Sequence, residues 1–475
     1  GPGIVYSGDY PDNVTKWTLD AVDATLDDDE DYIRTHYHKM EACDVDGPVV
    51  WLSETIDISA YSSVEFGLEA SESGSMEEND YCDVYYKVDG GDFTRIPNWN
   101  GFGSSEHTLI DDFPMQTITQ IVNDASQLVI KVVMNDDHSS EYLKIDDVYV
   151  GECMEYISAN TSQNEAKIAP GRNNQYIIGI SIETSGSVNP LYVTEFELNA
   201  NGSTVPVSDN IENARIFYTD TIASFAVSDQ FGTTVFEPTV SNFTIAGNQE
   251  LLEGTNHFWL TFDTKEEADI GELVDAECIS LTVGGSSKTP TQTAPSGARA
   301  IANPLVGEYT IGVKSDYASF SAAASDLNNL GISGTTSFTV ASGTYTEQVC
   351  LSDIDGTSTS DTILFHSSSS NADDVIVQET PTNSDNYVWK LEGTDYLTIN
   401  NITIQTTGSP DVGRVLVFEG ESVQIRIDSC KLLGEDVDDD DYDFAVVYWE
   451  FGMAHTCDSV TFCWDTISNG SYGIY

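Results

Sequence analysis

Along the first 155 positions, apolar and polar residues alternate in short bursts, each ending at turn formers. Val49-Val50-Trp51-Leu52 is followed by Ile56-Asp57-Ile58, Val64-Glu65-Phe66-Gly67-Leu68 and Val84-Tyr85-Tyr86-Lys87-Val88. Leu128-Val129-Ile130-Lys131-Val132-Val133 and Tyr142-Leu143-Lys144-Ile145 complete the set. In a strand, successive side chains point to opposite faces, so such bursts read as strands with one face buried. Their length and spacing predict a β-sandwich over 1–155, with Asp89-Gly90-Gly91-Asp92 as a tight turn.

A second β unit is predicted over 167–285. The Gly/Ser/Pro/Thr-rich stretch 286–308 then reads as a linker. From Tyr309 the pattern changes: Phe320, Ala324, Leu327 and Leu330 recur at helical spacing and predict a short amphipathic helix. Beyond it, Leu397-Thr398-Ile399-Asn400-Asn401-Ile402 aligns with Ile425-Arg426-Ile427-Asp428-Ser429-Cys430 and with Val460-Thr461-Phe462-Cys463-Trp464-Asp465. The offsets, 397 to 425 and 425 to 460, are 28 and 35 residues. One strand pair plus turns cannot bury an apolar face alone, so repeats of this kind must stack. A right-handed parallel β-helix over 309–475, capped by the helix, satisfies that need. The sequence ends inside such a repeat, at Gly473-Ile474-Tyr475, so the stack is expected to continue.

These patterns carry family resemblances. Ile56-Asp57-Ile58-Ser59-Ala60-Tyr61, the loop Met76-Glu77-Glu78-Asn79-Asp80-Tyr81 and the closing Ile145-Asp146-Asp147-Val148-Tyr149-Val150 resemble jelly-roll modules of the MAM and carbohydrate-binding type. Gln175-Tyr176-Ile177-Ile178-Gly179-Ile180, Ala214-Arg215-Ile216-Phe217-Tyr218-Thr219 and the segment from Leu251 to Asp263 resemble the Ig-like domain that precedes BNR-repeat neuraminidase regions. That domain is an accessory, and the arginine triad and Asp-box repeats of a sialidase are absent, so no sialidase activity is implied. Tyr309-Thr310-Ile311-Gly312, Asp316-Tyr317-Ala318-Ser319-Phe320 and Gly343-Thr344-Tyr345-Thr346-Glu347-Gln348 resemble the β-helix cap of Bacteroidota surface proteins exported by the type IX route. The resemblances imply an all-β chain: a jelly-roll sandwich, an Ig-like β-sandwich, then the capped start of a right-handed parallel β-helix.

Charge narrows the setting. Asp and Glu number 79 against 18 Lys and Arg, a formal net charge of −61. Such a field repels nucleic acid and anionic membranes, and it strains the compact state unless cations offset it. Bound Ca²⁺ or a saline exterior would supply them, and both point outside the cell. The eight cysteines form no CxxC pair and no zinc spacing; scattered singly, they allow a few disulfides in an extracellular chain but are too few for a disulfide scaffold, and spacing does not fix any pairing. No apolar run approaches the roughly 18 residues of a membrane span.

The acidic run Asp27-Asp28-Asp29-Glu30-Asp31 is a candidate Ca²⁺ site, with Asp27, Asp29 and Asp31 as ligands; the resemblance to calcium-bearing jelly rolls implies that Asp146 or Asp147 of the closing strand completes it. Glu78 and Asp80 form a second candidate. The competing reading of each is a solvated acidic loop. The same choice applies to the run from Asp436 to Asp443, and exposed histidines compete with a metal pair at His36 and His38. Tyr81, Tyr85, Tyr86, Trp99 and Phe102 offer flat rings for sugar stacking, or ordinary packing. GxSxG, HExxH and P-loop motifs are absent, and Arg414, Arg426 and Lys431 are scattered bases without a lyase motif. The expectation is a structural or adhesive segment of a very large secreted cell-surface protein with Ca²⁺-stabilised modules. It would touch cell-surface glycans or other cells and self-associate into a homo-oligomeric filament or hook. Two alternatives are the accessory and β-helix regions of a secreted polysaccharide lyase or glycosidase, and an array of carbohydrate-binding modules.

Overall fold

The computed structural model describes residues 16–26, 31–36, 39–408, 411–437, 441–449 and 458–475. The chain is nearly all β, in three successive groups of sheets.

The first group is an antiparallel sandwich. Its seven-stranded sheet runs in the order Trp17–Asp20, Val49–Ser53, Gln127–Asn135, Tyr81–Val88, Thr94–Arg95, with Ile56–Asp57 and Leu109–Ile110 paired alongside. The facing five-stranded sheet runs Gln116–Asn123, Ser63–Ser73, Tyr142–Glu152, Lys39–Cys43, Tyr32–His36. Alternation decides which side chains meet between the sheets: Cys82, Val84, Ile130 and Val132 turn inward against Phe66, Leu68, Leu143 and Ile145. Tyr81, Asp83, Tyr85 and Lys87 are thereby left on the outer face.

The second group is also an antiparallel pair of sheets. One runs Glu155–Gln163, Gln175–Ser185, Gly254–Thr264, Ile211–Tyr218, Asp229–Phe236; the other runs Phe243–Glu250, Tyr192–Asn199, Glu277–Val283, Ser286–Lys288. Its core includes Phe196, Phe258, Leu260 and Phe262. The first strand starts at Glu155, well ahead of the expected 167, because its sequence is polar enough to hide it. The stretch 286–308, read from composition as a linker, is built into the fold. Ser286–Lys288 extends a sheet, and Arg299–Ala300 pairs with Leu273–Val274.

The third group consists of parallel sheets visited in rotation. One holds Leu305–Ile311, Ile332–Val340, Ile363–Ser367, Leu397–Asn400, Arg426–Asp428 and Thr461–Cys463. The others hold Gly343–Thr346, Val375–Glu379, Thr403–Thr406, Lys431–Leu433, Thr466–Ser468, and Val349–Leu351, Trp389–Glu392, Leu416–Glu419, Val447–Trp449. Ile399 pairs with Ile427, and Ile427 with Phe462, so the internal sequence repeat is the register of the stack. Corner residues recur in step: Tyr396, Gln424 and Ser459 are left-handed, as are Asn401, Ser429 and Trp464. The helix Phe320–Leu330 buries Phe320, Ala324, Leu327 and Leu330 over the first coil. Ser319 caps it by accepting from the Ala322 amide, and Glu347 of the next coil accepts from the Phe320 and Ser321 amides.

No disulfide forms among the described residues. Cys43, Cys82, Cys153, Cys278, Cys350, Cys430 and Cys463 are free thiols, five of them buried, and Cys82, Cys278 and Cys430 pack into the three hydrophobic cores. Cys457 lies outside the described residues. No described helix is long and apolar enough to cross a membrane.

Candidate functional site

Two features of the first sandwich stand out, and both arise from how strand Tyr81–Val88 is held.

The first is an acidic cluster at one end. Strand pairing places Tyr81 beside Asn135 in one sheet and Ser73 beside Tyr142 in the other. The loops 74–80 and 136–141 therefore cross between the sheets side by side. Four carboxylates meet there: Glu77 and Asp80 from one loop, Asp137 and Glu141 from the other, each with an oxygen within 4.8 Å of the rest. Glu77 and Asp137 face solvent, whereas Asp80 is 1% and Glu141 3% exposed. Asp80 Oδ2 accepts from the Glu77 amide at 2.6 Å, and Asp137 accepts from the side chain of Asn79. Asp80 Oδ1 and Glu141 Oε2 are buried with no hydrogen-bond partner. None of the four is in a salt bridge among the described residues. Burial pushes the Asp80 carboxyl up to about 6 and Glu141 up to about 8, and the neighbouring acids add to both. Gly74 lets the loops close up: at its φ of 135° a Cβ would lie 2.8 Å from both Glu141 Cγ and the Ser140 carbonyl.

The second feature is the outer face of the seven-stranded sheet. Lys131 and Arg95 sit opposite Tyr85 on the two strands that flank it, which makes a row of Lys131, Tyr85 and Arg95. Lys131 Nζ lies 3.9 Å from the Tyr85 ring centroid and 4.5 Å from that of Phe93, and Lys87 Nζ lies 4.9 Å from Phe93. Asp83 anchors the row, accepting from the Thr108 amide at 2.6 Å and standing 3.1 Å from His107 Nδ1 and 3.6 Å from Arg95 Nη1. His107 stacks on Tyr81 at 4.0 Å. Burial lowers the Lys131 ammonium's affinity for its proton and raises that of the Tyr85 phenol.

The residues singled out from sequence fall as follows. Asp80 belongs to the acidic cluster, and Glu78 is exposed and outside it. Asp27 and Asp29 lie outside the described residues. Asp31 is buried at the head of strand Tyr32–His36. Asp146 pairs with Lys39 at 2.9 Å, and Asp147 is exposed at the bulge that follows, with φ 45°. His38 and the middle of the 436–443 run are outside the described residues; Asp443 of that run pairs with Arg414 at 2.6 Å. Of the aromatic candidates, Tyr81 and Tyr85 face outward, but Tyr86, Trp99 and Phe102 pack against the core. Glu77, Asp137 and Glu141 were missed. The two turns, 77–80 and 136–141, are visible in the sequence as acidic stretches, but the pairing of the strands they flank is not.

Residues 156–287 match the family model described as the N-terminal domain of BNR-repeat neuraminidase. Among solved structures, the chain is similar to the Hadza microbial sialidase Hz136 at 12% identity and a TM-score of 0.23, covering 30% of this chain and 31% of the sialidase. This chain thus spans less than a third of that protein. It is also similar to the N-terminal CBM22 tandem domain of Paenibacillus barcinonensis Xyn10C (8% identity, TM-score 0.19), over 53% of this chain and 87% of that one. A third is the β-1,2-glucanase of Parabacteroides distasonis (10% identity, TM-score 0.18), over 61% and 37%. Among curated proteins, no relative matches the chain.

Proposed function

We propose that this chain is a glycan-contacting segment of a secreted protein, in which the first sandwich makes the contact and the other two units carry it. The observation behind this reading is the row Lys131, Tyr85 and Arg95, flanked by Lys87 and His107. In a chain with 18 Lys and Arg against 79 acids, three of those cations on one sheet face are a local reversal of sign. A guanidinium and an ammonium beside a phenol ring suit a sugar that bears a carboxylate: the charges hold the anion and the ring covers the apolar face. The match of 156–287 to a neuraminidase's N-terminal domain supports a glycan-related setting.

In this reading the first unit is a jelly roll, the second an Ig-like sandwich and the third the capped opening of a right-handed parallel β-helix. The protein works outside the cell, at a surface or in an attachment filament. In the parallel stack, four of the five Lys and Arg residues are in ion pairs: Lys390 with Glu419, Arg414 with Asp443, Arg426 with Asp428 and Lys431 with Asp373.

The test is binding of the intact chain to neutral and carboxylated glycans, with affinity electrophoresis on the best hit. Tyr85→Ala and Lys131→Met should each weaken retention about tenfold or more, equivalent to about 1.4 kcal/mol, with the melting profile unchanged. If no glycan is retained, or both variants bind as well as the parent, the reading fails.

A further inference from the structure

We infer that Glu77, Asp80, Asp137 and Glu141 form a Ca²⁺ site that ties together the two loops at the end of the first sandwich. The acids alone would not carry this, since exposed carboxylates cluster without ions in many acidic proteins. What points to an ion is the pair of buried members. Asp80 and Glu141 are almost wholly excluded from solvent, and each leaves an oxygen without a hydrogen-bond partner. An ionised carboxylate in that position carries an uncompensated desolvation penalty, and other carboxylates surround it where a Lys or Arg would normally stand. A cation is the missing partner.

The donor set identifies its class. All four donors are carboxylate oxygens, which selects a hard ion over zinc or copper. Ca²⁺ holds oxygens at about 2.3–2.6 Å, so ligands on opposite sides of it stand roughly 4.6–5.2 Å apart. The four oxygens lie within 4.8 Å of one another, which lets an ion of that size sit among them with little movement. Loop atoms already braced by neighbours would not need to reorganise: the Asn79 side chain holds Asp137, and the Asn135 side chain holds the Asn79 carbonyl at 2.8 Å. The site is distinct from one built on Asp146 and Asp147, since Asp146 is occupied by Lys39. It stands whether or not the outer sheet face binds sugar.

The experiment is calorimetric titration of Ca²⁺ into the chelator-treated full chain, with thermal melting in parallel. The wild type should bind Ca²⁺ saturably and its lowest melting transition should rise by several degrees, whereas Mg²⁺ at equal ionic strength should do neither. Asp80→Asn/Glu141→Gln should lose one equivalent of Ca²⁺ and the thermal shift. Its chelated form should melt no lower than chelated wild type, because the amides remove the mutual repulsion. Asp137→Asn, on an exposed ligand, repeats the test without touching a buried side chain and should show the same loss. Asp146→Asn/Asp147→Asn should keep the full response. The assignment is overturned if wild type shows no Ca²⁺ response, if the cluster variants bind as many ions as wild type, or if the response is lost in the Asp146/Asp147 variant instead.

Discussion

At the scale of single residues, the chain's excess of acid is tolerated where the carboxylate is solvated and costs stability where it is not. Asp275 shows the cost. Half-buried beside Glu277, its carboxyl is pushed up to about 6, burial being the larger cause and the Glu277 charge the smaller. An aspartate raised in the folded state binds protons there before it does in the unfolded chain. Its contribution to stability is therefore best below about pH 4 and declines as pH rises to 6, staying low above that. Asp275→Asn keeps an oxygen for the Ala276 amide, which Asp275 Oδ1 now accepts at 2.7 Å. It should stabilise the second unit by about 1–2 kcal/mol at pH 7.5, after discounting for partial exposure, and have no effect near pH 4. Denaturant melts at the two pH values check this, and an equal effect at both would contradict it.

The same scale shows what could be read from the chain. Alternation along Tyr81–Val88 puts Tyr81 and Tyr85 on one face and Tyr86 on the other, so grouping all three as one stacking platform overlooked a distinction the pattern carries. Asp80 was visible as a loop acid, but its partners were not. Asp137 and Glu141 lie far along the chain and meet it only because Tyr81 pairs with Asn135. Local pattern carries no information about which turns a sandwich brings together.

At the scale of elements, the parallel stack was the most legible part, because its register is written into the sequence as an internal repeat. Each strand presents its apolar residues to identical positions on the coils before and after. Phe338 and Phe365, paired in register, stack at 4.6 Å and 11°. Phe365 also meets Phe320 of the cap helix at 5.9 Å and Trp389 of another sheet at 5.6 Å. One ring thus joins the cap and two sheet faces. Phe365→Ala should cost about 3–5 kcal/mol and lower the melting transition of the stack while leaving the first sandwich's transition in place. A single transition that shifts as a whole would show instead that the units unfold together. The strand Glu155–Gln163 was the least legible element. It is an edge strand with few apolar residues, held by its ladder to Gln175–Ser185, so no hydrophobic period marks it.

At the scale of the whole molecule, the notable economy is in the placement of positive charge. Arg299 is 1% exposed and spans the junction between the second unit and the stack. It donates to the carbonyls of Ala166, Tyr176 and Lys167 and to Asn329 Oδ1 of the helix, at 2.7–2.9 Å. Lys167 pairs with Asp326 of the same helix at 2.6 Å, and Arg172 donates to the Leu330 carbonyl at 2.8 Å and pairs with Asp355. Composition marked this region as a linker because it is rich in Gly, Ser, Pro and Thr, and strand pairing of Ser286–Lys288 and Arg299–Ala300 together with the buried Arg299 side chain reverses that reading. Arg299→Met leaves three buried carbonyls short of a donor and should cost at least about 3 kcal/mol, seen as earlier melting and as new proteolytic cleavage within 286–308. Retention of wild-type protease resistance would argue against a fixed junction.

That junction has a mechanical consequence. With Ala169 of the second unit packed into the core of the stack and three cations bolting the helix to it, the two bodies cannot swivel about one another. A sideways pull on the sandwich would reach the coils as torque, turning them like the shaft of a key.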